Sequence, residues 1–367
     1  MRGSRPQEKI MSGCAISGIL NRKGKRFSGE EIMESIALMH ERSNGLGGGF
    51  AAYGIYPEHK DKYAIHMFYD DLKAKEKTDH FLNRHFEITV SEKIPTIEIE
   101  AIDNPPIIWR YFVEADHQKL ESSGLTEDEY VAQCVMNINS NYRGAFVVSS
   151  GKNMGVFKGV GYPEDIGEFY QLEDYEAYLW TAHGRFPTNT PGWWGGAHPF
   201  TLLDWSIVHN GEISSYGANK RYLEMFDYQC TMQTDTEAIT YLFDLMLRKH
   251  DLPLEAAVKS LAAPLWSEIE RMDEKEAKIA KSIRTVYGSA LLNGPFSIIL
   301  GHKDGFIALN DRIKLRPLVV AKDEARTYVA SEESAIREIC PNPDEIWTPR
   351  GGEAVIELLE GRKEAWG

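Results

Sequence analysis

Strand-forming runs at both ends of the chain, with two long helical stretches between them, narrow the available folds more than any other feature of this sequence. Cys14-Ala-Ile-Ser-Gly-Ile19 reads as a short strand close to the first residue. Near the other end, Ser297–Leu300, Phe306–Leu309, Tyr328–Ala330 and Ala354–Leu358 carry the same signature. Between them, Thr236–His250 and Leu254–Glu270 have helical periodicity. Strands first, helices next and strands last fit a layered α/β chain. No period of roughly 20 to 50 residues recurs, so the pattern is not that of a solenoid or propeller.

Closer in, Ser28 and Glu31 have capping-box spacing ahead of Ile32, Ile36 and Met39, which predicts a helix over about 28–41. The run Asn44–Gly49 ends it and leads into a strand over 50–56. From 57 to 141 the text changes character. Strand-like runs at 63–69, 94–102 and 107–113 alternate with helix-like runs near 71–86 and 126–139, the pattern of a compact α/β insertion. Further strands are expected at 145–149, 178–183 and 205–209, with turn chemistry at 187–197.

Composition removes several functional classes. The chain has 41 Lys+Arg against 55 Asp+Glu, a net charge of −14, which disfavours a general nucleic-acid binder. At 43% hydrophobic it can build a core. No run of about 18 apolar residues exists to span a membrane, and the N-terminus lacks the apolar segment of a secretory signal, so the expected location is the cytoplasm. Four separated cysteines, with no C-x-x-C pair to join His80 and His85, indicate neither a disulfide framework nor a zinc site. Walker A, Rossmann and iron–sulfur patterns are missing, so no cofactor is expected.

Four short constellations carry chemistry. Cys14 is either a buried strand cysteine or, if it becomes the first residue of a processed chain, a thiol with its own α-amine as general base. His183-Gly-Arg-Phe-Pro-Thr-Asn-Thr190 follows a strand and offers Arg185 and Thr188, a guanidinium fork and a hydroxyl suited to a carboxylate. Val208-His-Asn-Gly-Glu-Ile213 sets the Asn210 amide beside the Gly211 N–H, two donors of the kind an oxyanion hole needs, or else a hairpin turn. Gln233-Thr-Asp-Thr-Glu237 puts Asp235 ahead of a helix, as an N-cap or as a partner for a substrate ammonium. The Trp193-Trp194 pair reads as a lid, a docking patch or packing under a glycine-rich loop.

In this order the four blocks resemble the class II glutamine amidotransferases. Cys14-Ala-Ile-Ser-Gly-Ile19 is similar to the family's opening motif, His183 to Thr188 to its His-x-Arg-[aromatic]-x-Thr block, and His209 to Ile213 to its His-Asn-Gly-Glu-Ile. Thr234 to Glu237 is similar to its [Ser/Thr]-Asp-[Ser/Thr]-Glu. Within the family, Arg185 to Thr190 and Asp311-Arg-x-x-x-Arg-Pro-Leu318 look like the amidotransferase part of glutamate synthase.

The resemblance implies an α+β fold, the four-layer αββα sandwich of the N-terminal-nucleophile hydrolases, over residues 14–367, with the α/β insertion at about 57–141. It implies Cys14 as nucleophile, Asn210 and Gly211 in the oxyanion hole, and Arg185, Asp235 and Thr188 around L-glutamine, with Arg42 nearby. No metal is implied. It also implies a separate synthase subunit, of the flavin and iron–sulfur glutamate synthase kind, to receive the ammonia. Two departures stand out. Ala15 replaces the family's glycine, and thirteen residues precede Cys14. Residues 1–13 are therefore a propeptide to be cleaved or an extension that leaves a glutamine-binding, non-catalytic subunit. An amidase acting on another amide fits less well, because Arg185 and Asp235 together suit a free amino acid.

Overall fold

The computed structural model describes residues 13–186 and 192–362. Two antiparallel sheets dominate it. The seven-stranded sheet runs in the order Glu345–Trp347, Val319–Lys322, Arg326–Ala330, Ala15–Asn21, Leu179–Gly184, Gly48–Tyr53, Met154–Gly159. The five-stranded sheet runs Phe200–Leu202, Trp205–Gly211, Phe296–His302, Gly305–Asn310, Ala354–Leu358.

The period-2 alternation of these strands sorts their side chains into layers. Ile16, Leu20, Tyr53, Val156 and Val329 face inward and meet Val208, Ile299, Phe306 and Ala308 of the other sheet. Gly18 lies on the same face, where a Cβ would stand 3.3 Å from the Ile299 side chain. The opposite face of the larger sheet sets Ile19, Trp180 and Ala330 against the helices Glu30–Ala37, Pro163–Phe169 and Glu333–Ile339. On the far side of the smaller sheet, Ile207, Ile298 and Leu300 pack with the helices Asp235–Asp244 and Leu254–Leu261. The result is the expected αββα order. The strand Ala15–Asn21 is buried along its whole length, and each fully buried Ile or Leu in it contributes about 2 kcal/mol.

A separate four-stranded sheet, Phe86–Lys93, Ile107–Ala115, Tyr63–Tyr69 and Ala145–Ser149, draws three of its strands from 57–141. Several contacts tie it to the sandwich. Thr201 Oγ1 donates to the Val148 carbonyl at 3.0 Å. A partly buried ion network joins the helix Glu127–Asn141 to the helix Asp235–Asp244: Arg248 grips Asp244 with Nε at 2.7 Å and Nη2 at 2.6 Å, and reaches Glu129 at 2.5 Å. Tyr228 also donates to Asp244, whose side chain is fully buried.

Several sequence expectations need correction. The strand placed at 94–102 is instead Phe86–Lys93, which alternates buried Phe86 with outward polar residues. Pro95 lacks the N–H a ladder requires, and 94–102 crosses as irregular chain. Ser28 does not cap the first helix: it pairs in a two-residue strand, and Glu31 turns to Arg326. The stretch 254–270 breaks at Ala262–Pro264 into two helices, because proline disfavours helical backbone before it. Thr234, not Asp235, caps the helix that follows it. The strand Met154–Gly159 and the helices Pro163–Phe169 and Tyr216–Glu224 gave no expectation strong enough to place them.

Replacing Arg248 leaves a fully buried carboxylate without its cation. Arg248→Met is expected to lower stability by about 3 kcal/mol, read as a lower urea midpoint with an unchanged slope; an unchanged midpoint would refute a stabilising role for this network.

Candidate active site

A cavity of about 610 Å³ opens where the strands of the two main sheets end. Strand register explains its contents. Ala15 pairs with Gly184, so Cys14 and Arg185 leave adjacent antiparallel strands side by side. Gly211 ends its strand opposite Phe296, and Asp235 opens the helix Asp235–Asp244. Cys14, Arg185, Gly211 and Asp235 all line the cavity. Thr188 lies outside the described residues.

The Cys14 Sγ accepts the Phe186 N–H at 3.3 Å. Burial pushes its thiol up; the Phe186 N–H and the Arg185 and Arg316 cations pull it back in part, while Asp235 adds to the rise. Arg185 is 7% exposed, and burial draws its guanidinium down against the pull of Cys14 and Asp235. Asp235 accepts the Ile213 N–H at 2.8 Å and lies 3.7 Å from His209 Nδ1. Burial pushes its carboxyl up, but His209 and the donors from Ile213 and Thr234 outweigh that and hold it below the usual carboxylate range.

Asn210 and Gly211 are neighbours with different surroundings. Gly211 has φ 156° and lines the cavity; a Cβ there would collide with the Pro295 carbonyl and stand 2.7 Å from the Phe296 Cα, so the position admits only glycine. Asn210 is fully buried behind it, with Nδ2 3.4 Å from the Ser331 hydroxyl and Oδ1 without a partner. Ser331 Oγ also accepts the Ile16 N–H at 3.1 Å, linking this amide to the first strand. Arg42 is not on the cavity wall. Its Nε donates to the Cys14 carbonyl at 3.3 Å and its Nη1 pairs with Glu332 at 2.8 Å.

Several neighbours of the cavity escaped sequence reading. His198 and His209 both line it, and both meet the Thr236 hydroxyl, His198 Nε2 at 2.7 Å and His209 Nδ1 at 3.0 Å. His183 stacks on His198 at 4.1 Å and its Nε2 donates to the His209 carbonyl at 2.9 Å. Burial, reinforced by Arg185, holds the His183 imidazole down to about 3, and burial keeps the His198 imidazole well below its usual range, so both are neutral at pH 7. Lys158 reaches the Gly195 and Pro199 carbonyls at 3.1 Å each and fixes the loop that carries Trp193. Burial brings this ammonium down to about 7, with Glu237 opposing. Trp193 lines the cavity edge-on to Phe146 of the third sheet, whereas Trp194 packs with Phe68 and Phe169. Arg316 also lines the cavity. Its signal was visible in Asp311–Leu318, and Asp311 shapes that loop by accepting the Ile313 N–H at 3.1 Å and the Leu315 N–H at 2.9 Å.

Among the described residues no group of three or more His, Cys, Asp or Glu is arranged to hold a metal, and no helix is long and apolar enough to cross a membrane. Cys134, Cys230 and Cys340 are buried and free.

Comparison with known proteins agrees with the motifs. The sequence model of the family "Glutamine amidotransferases class-II" matches residues 17–346. An uncharacterized protein of Archaeoglobus fulgidus is 51% identical over 369 residues, covering 99% of this chain and 97% of its own length. A putative glutamine amidotransferase of Methanothermobacter thermautotrophicus is 25% identical over 94% of this chain and 100% of its own. The amidophosphoribosyltransferase of Methanocaldococcus jannaschii is 23% identical over 58% of this chain, a match to 41% of that protein. The match over most of its length places this chain among the class II glutamine amidotransferases.

Proposed function

We propose that the chain is a glutaminase subunit that hydrolyses L-glutamine to glutamate and ammonia and supplies the ammonia to a separate synthase subunit, of the glutamate synthase kind. The observation that carries the reading is the convergence of Cys14, Arg185, Gly211 and Asp235 on one cavity. A thiol, a guanidinium, a carboxylate and a backbone donor at a strand end match the reacting carbonyl, the α-carboxylate, the α-ammonium and the oxyanion of a bound glutamine. Residues 57–141 are read as an insertion into the amidotransferase domain.

In the proposed reaction, cleavage after Gly13 frees the Cys14 amine. That amine takes the thiol proton, and the thiolate attacks the γ-carbonyl carbon to form the C–S bond of a tetrahedral intermediate. The oxyanion is held by the Gly211 N–H and the Asn210 amide. As the C–N bond breaks, the ammonium of Cys14 returns the proton to the leaving nitrogen, and ammonia departs. Water then adds to the thioester, glutamate leaves and the thiol is restored. Arg185 and Thr188 hold the α-carboxylate and Asp235 the α-ammonium. Arg42, which grips the Cys14 carbonyl, fixes the nucleophile's backbone rather than touching glutamine.

Intact mass of the native chain is expected to show Cys14 as the first residue, and Cys14→Ala is expected to lose essentially all glutaminase activity. Activity retained in that variant would refute the assignment. A mature chain still carrying residues ahead of Cys14 would make the protein a glutamine-binding subunit without catalysis. Asn210→Ala is expected to lower kcat by about 10²- to 10³-fold with little change in KM, whereas a change confined to KM would remove Asn210 from the oxyanion hole. A tagged chain recovered from its native host is expected to bring down a flavin- and iron–sulfur-containing subunit, and recovery of the free chain alone would sink the proposed partnership.

A further inference from the structure

Three guanidinium groups surround the nucleophile, and only two of them have an evident partner or duty. Arg185 stands where the glutamine α-carboxylate would bind, and Arg42 is neutralised by Glu332. Arg316 differs. Its Nε is buried without an acceptor, and it makes no ion pair among the described residues. Its placement is not accidental, because the loop behind it is pinned from inside. Asp311, 2% exposed, accepts the Leu315 N–H at 2.9 Å, and Asn310 Nδ2 donates to the Arg316 carbonyl at 3.4 Å. A Cβ built on Gly13 would stand 3.3 Å from Arg316 Nη1 and 3.4 Å from Arg42 Nη2. Standard backbone geometry therefore puts both guanidinium groups within about 7 Å of the Cys14 nitrogen.

We propose that Arg316 is a positioning residue of the nucleophile: an unpaired cation, held against Cys14 by the Asp311 loop, that keeps the Cys14 amine in its neutral base form and favours the thiolate. This rests on the reading of Cys14 as an N-terminal nucleophile. The charge logic has one sign for both groups. A positive neighbour disfavours the ammonium and favours the thiolate, so it moves the onset of activity to lower pH. The other charged groups facing Cys14 are Arg185 and Asp235, with the Arg42–Glu332 pair behind its carbonyl and Glu212 and His209 elsewhere on the wall. Asp235 acts in the opposite sense, so Arg316 offsets a carboxylate the substrate site requires. The Arg316 contribution to the thiol already has the expected direction.

The test is the pH profile of kcat/KM for glutamine in the wild type, Arg316→Gln and Arg316→Lys, together with the pH profile of Cys14 alkylation by iodoacetamide. A partly screened charge about 7 Å away is worth roughly half a pH unit to one unit. The acid limb of Arg316→Gln is expected to move up by that amount, giving a loss of roughly three- to tenfold on the acid side of the limb that disappears above it, and Arg316→Lys is expected to restore the wild-type limb. Alkylation at Cys14, located by mass because the other three cysteines are buried, is expected to shift the same way. An unmoved limb, a loss equal at every pH, or a lysine variant that behaves like glutamine would overturn the proposal. Failure of the underlying reading looks different: no glutamine turnover by the wild type, or turnover that survives Cys14→Ala. In that case the alkylation profile still decides whether Arg316 acts on the thiol.

Discussion

The antiparallel pairing of the strand Ala15–Asn21 between Leu179–Gly184 and Arg326–Ala330 is the constraint on which the rest depends. It is a central strand with both faces buried, so its register cannot slip: a one-residue shift would send Ile16 and Leu20 out of the inter-sheet core and the small Ala15 and Ser17 into it. Fixing the register also fixes the chemistry. With Ala15 opposite Gly184, residue 14 has to emerge beside residue 185, and Ser331, which ends the neighbouring strand, is delivered to the Ile16 N–H and the Asn210 amide. Cys14, Arg185 and the Asn210 amide are thus placed by hydrophobic packing some distance away, and none of them needs to attract the others.

Behind the cavity wall the protein has buried an unusual amount of polarity. Three histidines, Thr236 and Lys158 are all less than 9% exposed, and each uncompensated polar group in such a place costs on the order of 1–3 kcal/mol. Their common effect is geometric. Thr236 is shared by two imidazoles and the loop 195–199 hangs from Lys158, so the wall carrying Trp193 and the helix end carrying Asp235 are held at one separation. The proposed site, which would read both ends of an amino acid, depends on a rigid separation, because a misplacement of about 1 Å is costly.

What was legible in the sequence follows from how local each signal is. Tyr63–Tyr69 and Ala354–Leu358 fell where expected because dense β-forming residues between turn signals suffice to define them. Thr126 and Glu129 stand at capping-box spacing, and Thr126 caps its helix through the Glu129 N–H at 3.3 Å, but the Glu129 side chain that would complete the box goes to Arg248 instead. Ser28 failed for a related reason, since tertiary pairing with the strand Glu176–Ala177 outcompeted a local cap. Met154–Gly159 escaped notice because glycines at both ends and a lysine within it, buried through contacts far away in sequence, hide the strand pattern. The site divides along the same line. Cys14, Arg185, Gly211 and Asp235 belong to compact motifs, whereas His198 and Lys158 matter only through partners far away in sequence, which no window of sequence reveals.

Charge gives the last step of this argument. The chain as a whole is acidic, at −14, yet Arg42, Arg185 and Arg316 converge on residues 13 and 14. Long-range charge is screened within about 8 to 10 Å at physiological ionic strength, so the global balance says little about a buried nucleophile. On the proposed reading, burial alone would leave Cys14 a poor nucleophile, since desolvation favours the neutral thiol, and the Asp235 carboxylate adds to that rise. In the proposed role of this site there is an internal conflict: the anion that would recognise glutamine opposes the anion that would attack it. Local guanidinium charge is the available remedy, since a guanidinium stays protonated throughout the pH range in which the site would work.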